Sequence, residues 1–525
     1  MRTTCWEKRK TKSEESAGSD SGVFSAAPSA AKNCRSPHWN MRRAGRLTQR
    51  RRSCIFLMIK SSGVRMNGFD ITIEAVECGF RSYPYRMPLK FGREVSTDGA
   101  LVRACVTVRG EDGRTACGFG ETPLAAAWSW PAPLPQEQRV QRMHAFCRAL
   151  AAAWREERTA GHPMEIGAHF LAHGLQQCLA KENEGRACAD EMTYLAALVC
   201  CSAFDLAMYD AYGALHDVNA FDCFNARYMN RDLAGYYTDE FAADFAGKYP
   251  EAFFAPRGRT PKKLAACHLV GAQDPLVSEE LTGEEPRDGI PVLLRDWIRT
   301  DGLFNLKIKL TGVDFKWDYN RIVRVGRMAL ENGVKNLTVD FNCTVEAPEY
   351  VCRMIDALKA RDPEIYGRIL YVEQPFAYDS PARGIDVHEV SARRLLMMDE
   401  SAHDWRCVAQ GHAQGWTGVA LKTCKTLTGA VLSLCWARSR GMAVMVQDLT
   451  NPALAMVSHA LLAANAGTIM GVEVNAMQFC PDASRVQAKV HPGLYKREKG
   501  YISLETLGHA GFGYRLDEME ETNDD

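Results

Sequence analysis

Residues 337–340, Leu337-Thr338-Val339-Asp340, form a short apolar run that stops on a carboxylate. A helical pattern from Asn320 to Leu330, closed by Asn332-Gly333, precedes it, and a second from Pro348 to Ala360 follows. A short buried strand between two helices is the unit of a parallel sheet, because parallel neighbours need a long crossover. The same unit recurs on both sides. Candidate strands are Leu264 to Val270, Phe304 to Lys309, Ile369 to Glu373, Leu395 to Asp399, Gly418 to Lys422, Ala443 to Gln447 and Ile469 to Val474. Together with Leu337 to Asp340 they number about eight, the count that closes a (β/α) barrel. An open doubly wound sheet would leave the last strands without a role.

The rest of the chain is long enough for a second domain, since 525 residues is about three times the usual domain size. Its 46 % hydrophobic and 24 % charged residues match ordinary globular composition, which excludes collagenous and wholly disordered classes. No uninterrupted apolar run approaches the ~20 residues of a membrane helix, so no membrane association is expected. Cysteines number 19, an odd count without any Cys-x-x-Cys pair, and are expected to be reduced thiols in a cytoplasmic protein. The formal charge of zero hides an asymmetry: residues 1–65 carry 15 Lys and Arg against 4 Asp and Glu. That Ser- and Arg-rich head is expected to be a disordered extension, with Met66 as an alternative start. Its run Arg42, Arg43, Arg46, Arg50, Arg51, Arg52 leaves a weak nucleic-acid role open; elsewhere no nucleic-acid partner is expected.

Between the head and the barrel the pattern is α+β. Ile71, Ile73, Ala75 and Val76 lead a first strand into Tyr83-Pro84-Tyr85, and Leu101 to Val108 reads as a second, turned at Glu111-Asp112-Gly113 into Thr115 to Gly120. Gly118-x-Gly120 lacks the third glycine of a dinucleotide fingerprint and reads as a strand end with a tight turn. Ala125 to Trp130 reads as a loop, and residues 137–215 as mostly helical, with His169 and His173 on a helix surface rather than on a metal. The expected domains are therefore the extension 1–65, an α+β cap over 66–261, a barrel over 262–480 and a C-terminal segment 481–525 returning to the cap.

The candidate strands end on charged residues. Lys307 and Lys309 close the second, Asp340 the third, Glu373 the fourth, Asp399 the fifth and Lys422 the sixth. In a barrel the carboxyl ends of all strands meet on one face, so these side chains converge there. Three carboxylates in one cavity repel each other unless a cation sits between them. A hard divalent ion with oxygen ligands, Mg²⁺ first, meets that need.

These motifs, Lys307-Ile308-Lys309, Val339-Asp340-Phe341-Asn342, Val372-Glu373-Gln374-Pro375-Phe376, Asp399-Glu400-Ser401 and Leu421-Lys422-Thr423, resemble the enolase superfamily, in its mandelate racemase/muconate lactonizing branch. The resemblance covers roughly residues 69–480. It implies a modified (β/α)7β TIM-type barrel with an α+β capping domain, Mg²⁺ on Asp340, Glu373 and Asp399, and Lys309 and Lys422 facing each other across a carboxylate substrate. Removing an α-proton places a second negative charge on that carboxylate, which a Lewis acid stabilises as an ene-diolate. Lys307, two residues from Lys309, is expected to tune it towards a base. The implied activity is that of a racemase or epimerase, with a cycloisomerase or acid-substrate dehydratase as the alternative and a catalytically silent binding protein as a further one.

Two departures bear on the subgroup. The seventh strand ends in Gln447-Asp448, without the histidine of the mandelate racemase type, and the eighth offers Glu473-Val474-Asn475 where dipeptide epimerases carry Asp-x-Asp. Dipeptide specificity is not expected. Candidate substrate contacts are Arg86, Lys90, Asn342, Glu473 and Asn475, with Arg93, Trp128 and Trp130 in the capping loops. Residues 273–300 match nothing in the resemblance and are expected to add a rim element. The partner expected beyond the substrate is a second copy of the chain.

Overall fold

The computed structural model describes residues 68–91, 94–255 and 260–520. The basic head and Arg93 lie outside the described residues.

The first layer is an antiparallel sheet of β1 (Ile71–Phe91), β2 (Glu94–Gly110) and β3 (Thr115–Pro123), in that order. Its inner face alternates Val102, Ala104, Val106 and Val108, all buried, against the helices Gln136–Arg155 and Tyr194–His216. Gly118 and Gly120 are not a strand end. They lie mid-strand in β3, where a Cβ would collide with the backbone of Ala211 or Ala203, so glycine lets the strand rest directly on the long helix. That helix belongs to a stretch, residues 188–216, that is long and apolar enough to cross a membrane, yet its side chains are buried in the cap core. Residues 125–130, read as loop, contain a short helix at Ala126–Ser129. The expectation of reduced thiols also needs correction: Cys105 and Cys117, brought together by the β2–β3 ladder, form a disulfide. Sequence spacing alone does not show which cysteines a ladder will place side by side.

The second body is a closed parallel barrel of eight strands: β4 (Lys263–Val270), β5 (Asn305–Lys309), β6 (Asn336–Asp340), β7 (Ile369–Glu373), β8 (Leu395–Met398), β9 (Gly418–Leu421), β10 (Ala443–Val446) and β11 (Val472–Glu473). Pairing of β11 with β4 closes the ring. Helical segments fill the connections from β4 to β11, giving the (β/α)7β arrangement. Inside, Cys267, Tyr371, Met397, Ala420, Met445 and Met470 pack as a floor beneath the strand ends, as barrel interiors require. In the pairing register Lys309 stands opposite Asp340, and Asp340 opposite Glu373.

After the barrel the chain adds β12 (Tyr501–Ser503) antiparallel to β4 and then reaches the cap, where the Phe512 amide donates to Asp210 Oδ1 at 2.8 Å. Residues 273–300 run between β4 and β5 as loop, a single 3₁₀ turn and the helix Leu294–Asp301. They tie cap to barrel: Arg86 of β1 donates to Asp288 and to the Ile290 carbonyl, and Arg321 donates to the carbonyls of Gly271 and Asp274.

Candidate active site

The carboxyl ends of β5 to β9 deliver a dense group of buried charges. Asp340, Glu373 and Asp399 are all 1 % exposed or less, although each belongs to a different strand end. Lys307 bridges the first two and Glu473: its Nζ lies 2.5 Å from Glu373 Oε1, 3.1 Å from Asp340 Oδ2 and 3.0 Å from Glu473 Oε2. Lys309 Nζ lies 2.5 Å from Asp340 Oδ2, and Lys422 Nζ lies 3.2 Å from Asp399 Oδ2 while donating to the Asp448 carbonyl at 2.8 Å. Backbone strain gathers at the same rim, with Asn342, Cys343 and Gln374 at φ 46°, 65° and 29° just past β6 and β7.

The charges decide who holds protons. Burial, then Asp340 and Asp399 nearby, push the Glu373 carboxyl well above the usual range, against the opposing pull of Lys307. Burial works against Asp340 and Asp399 too, but Lys309 and Lys307 hold the first below its usual value, and Lys422 and Lys425 the second. Burial would lower Lys307, but Glu373, Glu473 and Asp340 outweigh it and keep it protonated. The middle acid is thus the one for which the lysines do not suffice.

Several of these groups escaped sequence reasoning. Lys425, buried, donates to the Asp399 carbonyl at 2.5 Å and lies 3.2 Å from Oδ1; its spacing three after Lys422 in a strand-to-helix turn was the available signal. Glu400, pushed up to about 7 by burial and by Asp399, accepts from Trp128 Nε1 and from Asn342 Nδ2, both at 3.1 Å. Gln447 donates to Glu373 from the position where a histidine is absent.

Above the acids and lysines is a cavity of about 500 Å³. Lys307, Lys309, Asp399, Lys422, Glu473 and Asn475 line it from the barrel, and Lys90, Leu89, Phe91 and Trp128 line it from the cap. Lys90 is exposed at this rim. Asn342 does not line it, being bonded to Asp340 and Glu400. Arg86 does not line it either. Its side chain is only 6 % exposed and its guanidinium is engaged by Asp288, so the sequence assignment of Arg86 to substrate does not fit the place it occupies. Trp130 is turned into the cap, with Nε1 on the Glu191 carbonyl. Among the described residues no three His, Cys, Asp or Glu side chains stand as a ready metal cluster; ammonium groups hold the acid oxygens instead.

Residues 292–520 match the family model described as enolase C-terminal domain-like. Residues 292–520, which carry β5 to β12, are thus similar to an enolase C-terminal domain. The resemblance read from the strand-end motifs is borne out at this level, and so is the barrel fold. Solved structures similar to this chain include N-succinyl Arg/Lys racemase from Bacillus cereus ATCC 14579, at 15 % identity and TM-score 0.55, covering 86 % of this chain and 97 % of that one. A dipeptide epimerase from Enterococcus faecalis V583, complexed with Mg and the dipeptide L-Leu-L-Tyr, aligns at 15 % identity and TM-score 0.52 over 84 % of this chain and 99 % of that one. Muconate lactonizing enzyme from Pseudomonas fluorescens, complexed with muconolactone, aligns at 14 % and 0.52 over 84 % and 96 %. At these identities the likeness carries the fold. No curated protein sequence matches the chain.

Proposed function

We propose that this enolase-like protein is an enzyme that removes the α-proton of a carboxylate substrate, with racemisation or epimerisation as the outcome. One observation carries the reading: Lys309 and Lys422 enter the same cavity from β5 and β9, the second and sixth strands of an eight-strand ring. Strands four apart in such a ring lie across from each other. Two amines on opposite faces of one carbon are what inversion of a stereocentre requires, one taking a proton and the other returning it.

We further propose Mg²⁺ as the cofactor. Its ligands would be Asp340, Glu373 and Asp399, an oxygen-only set whose middle member is under like-charge stress that a divalent cation relieves. When bound it would supply Lewis-acid stabilisation of the charge that proton removal leaves on the substrate. The chain's own residues do the remainder. Lys307 keeps Glu373 and Glu473 in place, Lys425 holds Asp399 from behind, and the cap closes the cavity with Leu89, Phe91 and Trp128.

A second reading, a cycloisomerase or dehydratase using one base, draws on the two acceptors that already engage Lys422, Asp399 Oδ2 and the Asp448 carbonyl. Proton NMR in D₂O on paired enantiomers of a panel of α-substituted carboxylates separates the two. Wash-out of the α-hydrogen from both enantiomers is the expected result; wash-out from one alone, with a new ring or double bond in the product, gives the second reading. No exchange across the panel sinks both.

A further inference from the structure

A second cavity, of about 660 Å³, lies between the cap helices Pro163–Ala172 and Tyr194–His216 and the barrel helices Trp405–Ala413 and Leu427–Ser439. It shares no lining residue with the cavity described above. Asp399 lines the first and Lys425 the second, so the ion pair between these two residues spans the wall separating them.

The charged groups lining this second cavity are mostly cationic. Lys425, Arg231 and Arg406 face it, against one acid, Asp404, whose carboxylate is already bonded to the backbone amides of Arg406 and Cys407 and to the Arg406 guanidinium. His403 also lines it, and its buried Nε2 has no hydrogen-bond partner. A buried polar atom left unpaired is destabilising, a cost that a ligand atom can remove. Trp405 also lines it, with the Arg406 guanidinium over its ring at 4.7 Å, and Arg231 stacks on the ring of Tyr236 at 4.3 Å.

We propose that this cavity is a second ligand site, for a small organic anion with a planar apolar body. The carboxylate of such a ligand meets Lys425 and the two arginines, and its body lies against Trp405. Because Lys425 can give its protons to the ligand or to Asp399, occupancy here and the set of Asp399 are linked, and linkage between two sites is reciprocal. The inference concerns binding alone and stands whatever reaction the first cavity performs.

Calorimetric titration with benzoate tests it on three full-length proteins. Wild type should bind benzoate saturably. Lys309→Met/Lys422→Met, which strips the two facing lysines from the first cavity, should retain that binding. Arg231→Ala/Arg406→Ala alters exposed side chains of the second cavity, and should weaken binding at least tenfold with an unchanged melting temperature. In wild type, benzoate should also slow acetylation of Lys425 by acetic anhydride, read by mass spectrometry. Absence of binding in wild type, loss of binding in the Lys309/Lys422 variant with retention in the arginine variant, or equal labelling of Lys425 with and without benzoate would each overturn the proposal.

Discussion

Lys307 Nζ and Glu373 Oε1 are 2.5 Å apart, on side chains that are 2 % and 0 % exposed. Removing one partner of a buried pair strands the other where that other is ionised, as Asp340 beside Lys307 is, and this costs about 3–5 kcal/mol. Lys307 also serves Glu473 and Asp340, so Lys307→Met should fall in that range. Urea denaturation measures it; a loss below about 1 kcal/mol would show that these acids are neutral without the lysine.

The three acids should act as one ligand set. Asp340→Asn, Glu373→Gln and Asp399→Asn are each expected to weaken Mg²⁺ binding at least tenfold in calorimetric titration. Unchanged affinity in all three would remove the assignment.

Lys309 and Lys422 should divide the labour by stereochemistry. Once an exchanging substrate is found, Lys422→Ala should stop net inversion while Lys309 continues to exchange the proton it faces, and Lys309→Ala should do the converse. Loss of all exchange in both variants would point to a shared rather than a facing role.

Asp210 supplies a pH test away from the site. Burial pushes its carboxyl up to about 7, against the amides of Phe512 and Phe119 that donate to it. A folded value above the unfolded one means that its contribution to stability is complete below about pH 4 and is lost as pH rises through 7. Wild type should therefore lose stability relative to Asp210→Asn between pH 4 and pH 7, read from urea midpoints. Parallel curves would place the ionisation elsewhere.

The barrel was legible because each strand is short, apolar and punctuated: Leu337 to Asp340 and Ile369 to Glu373 begin within a residue of their observed bounds. The charged residues at the strand ends were legible for the same reason, since a barrel leaves them one face on which to meet. What stayed hidden depended on contacts between distant segments. Arg86 looked like an anion binder until Asp288, 202 residues later, took its guanidinium. Gly118 and Gly120 looked like a turn because the helix backbone that forbids a Cβ there is about 90 residues away. Lys425 and Glu400 stood beside assigned residues, but only the loop geometry shows that they point at Asp399 and at Trp128.

The bond from the Phe512 amide to Asp210 joins residues 302 positions apart, with the whole barrel between them. Synthesis runs from the amino terminus, so the cap's sheet and long helix emerge from the ribosome first and the barrel second. The C-terminal segment, which adds to the ties at Asp288 and Glu400, comes last. Until about residue 512 has emerged, Asp210 has no Phe512 amide to bind, and a nascent chain cut short there would carry every strand of the barrel with one tie to the cap still missing.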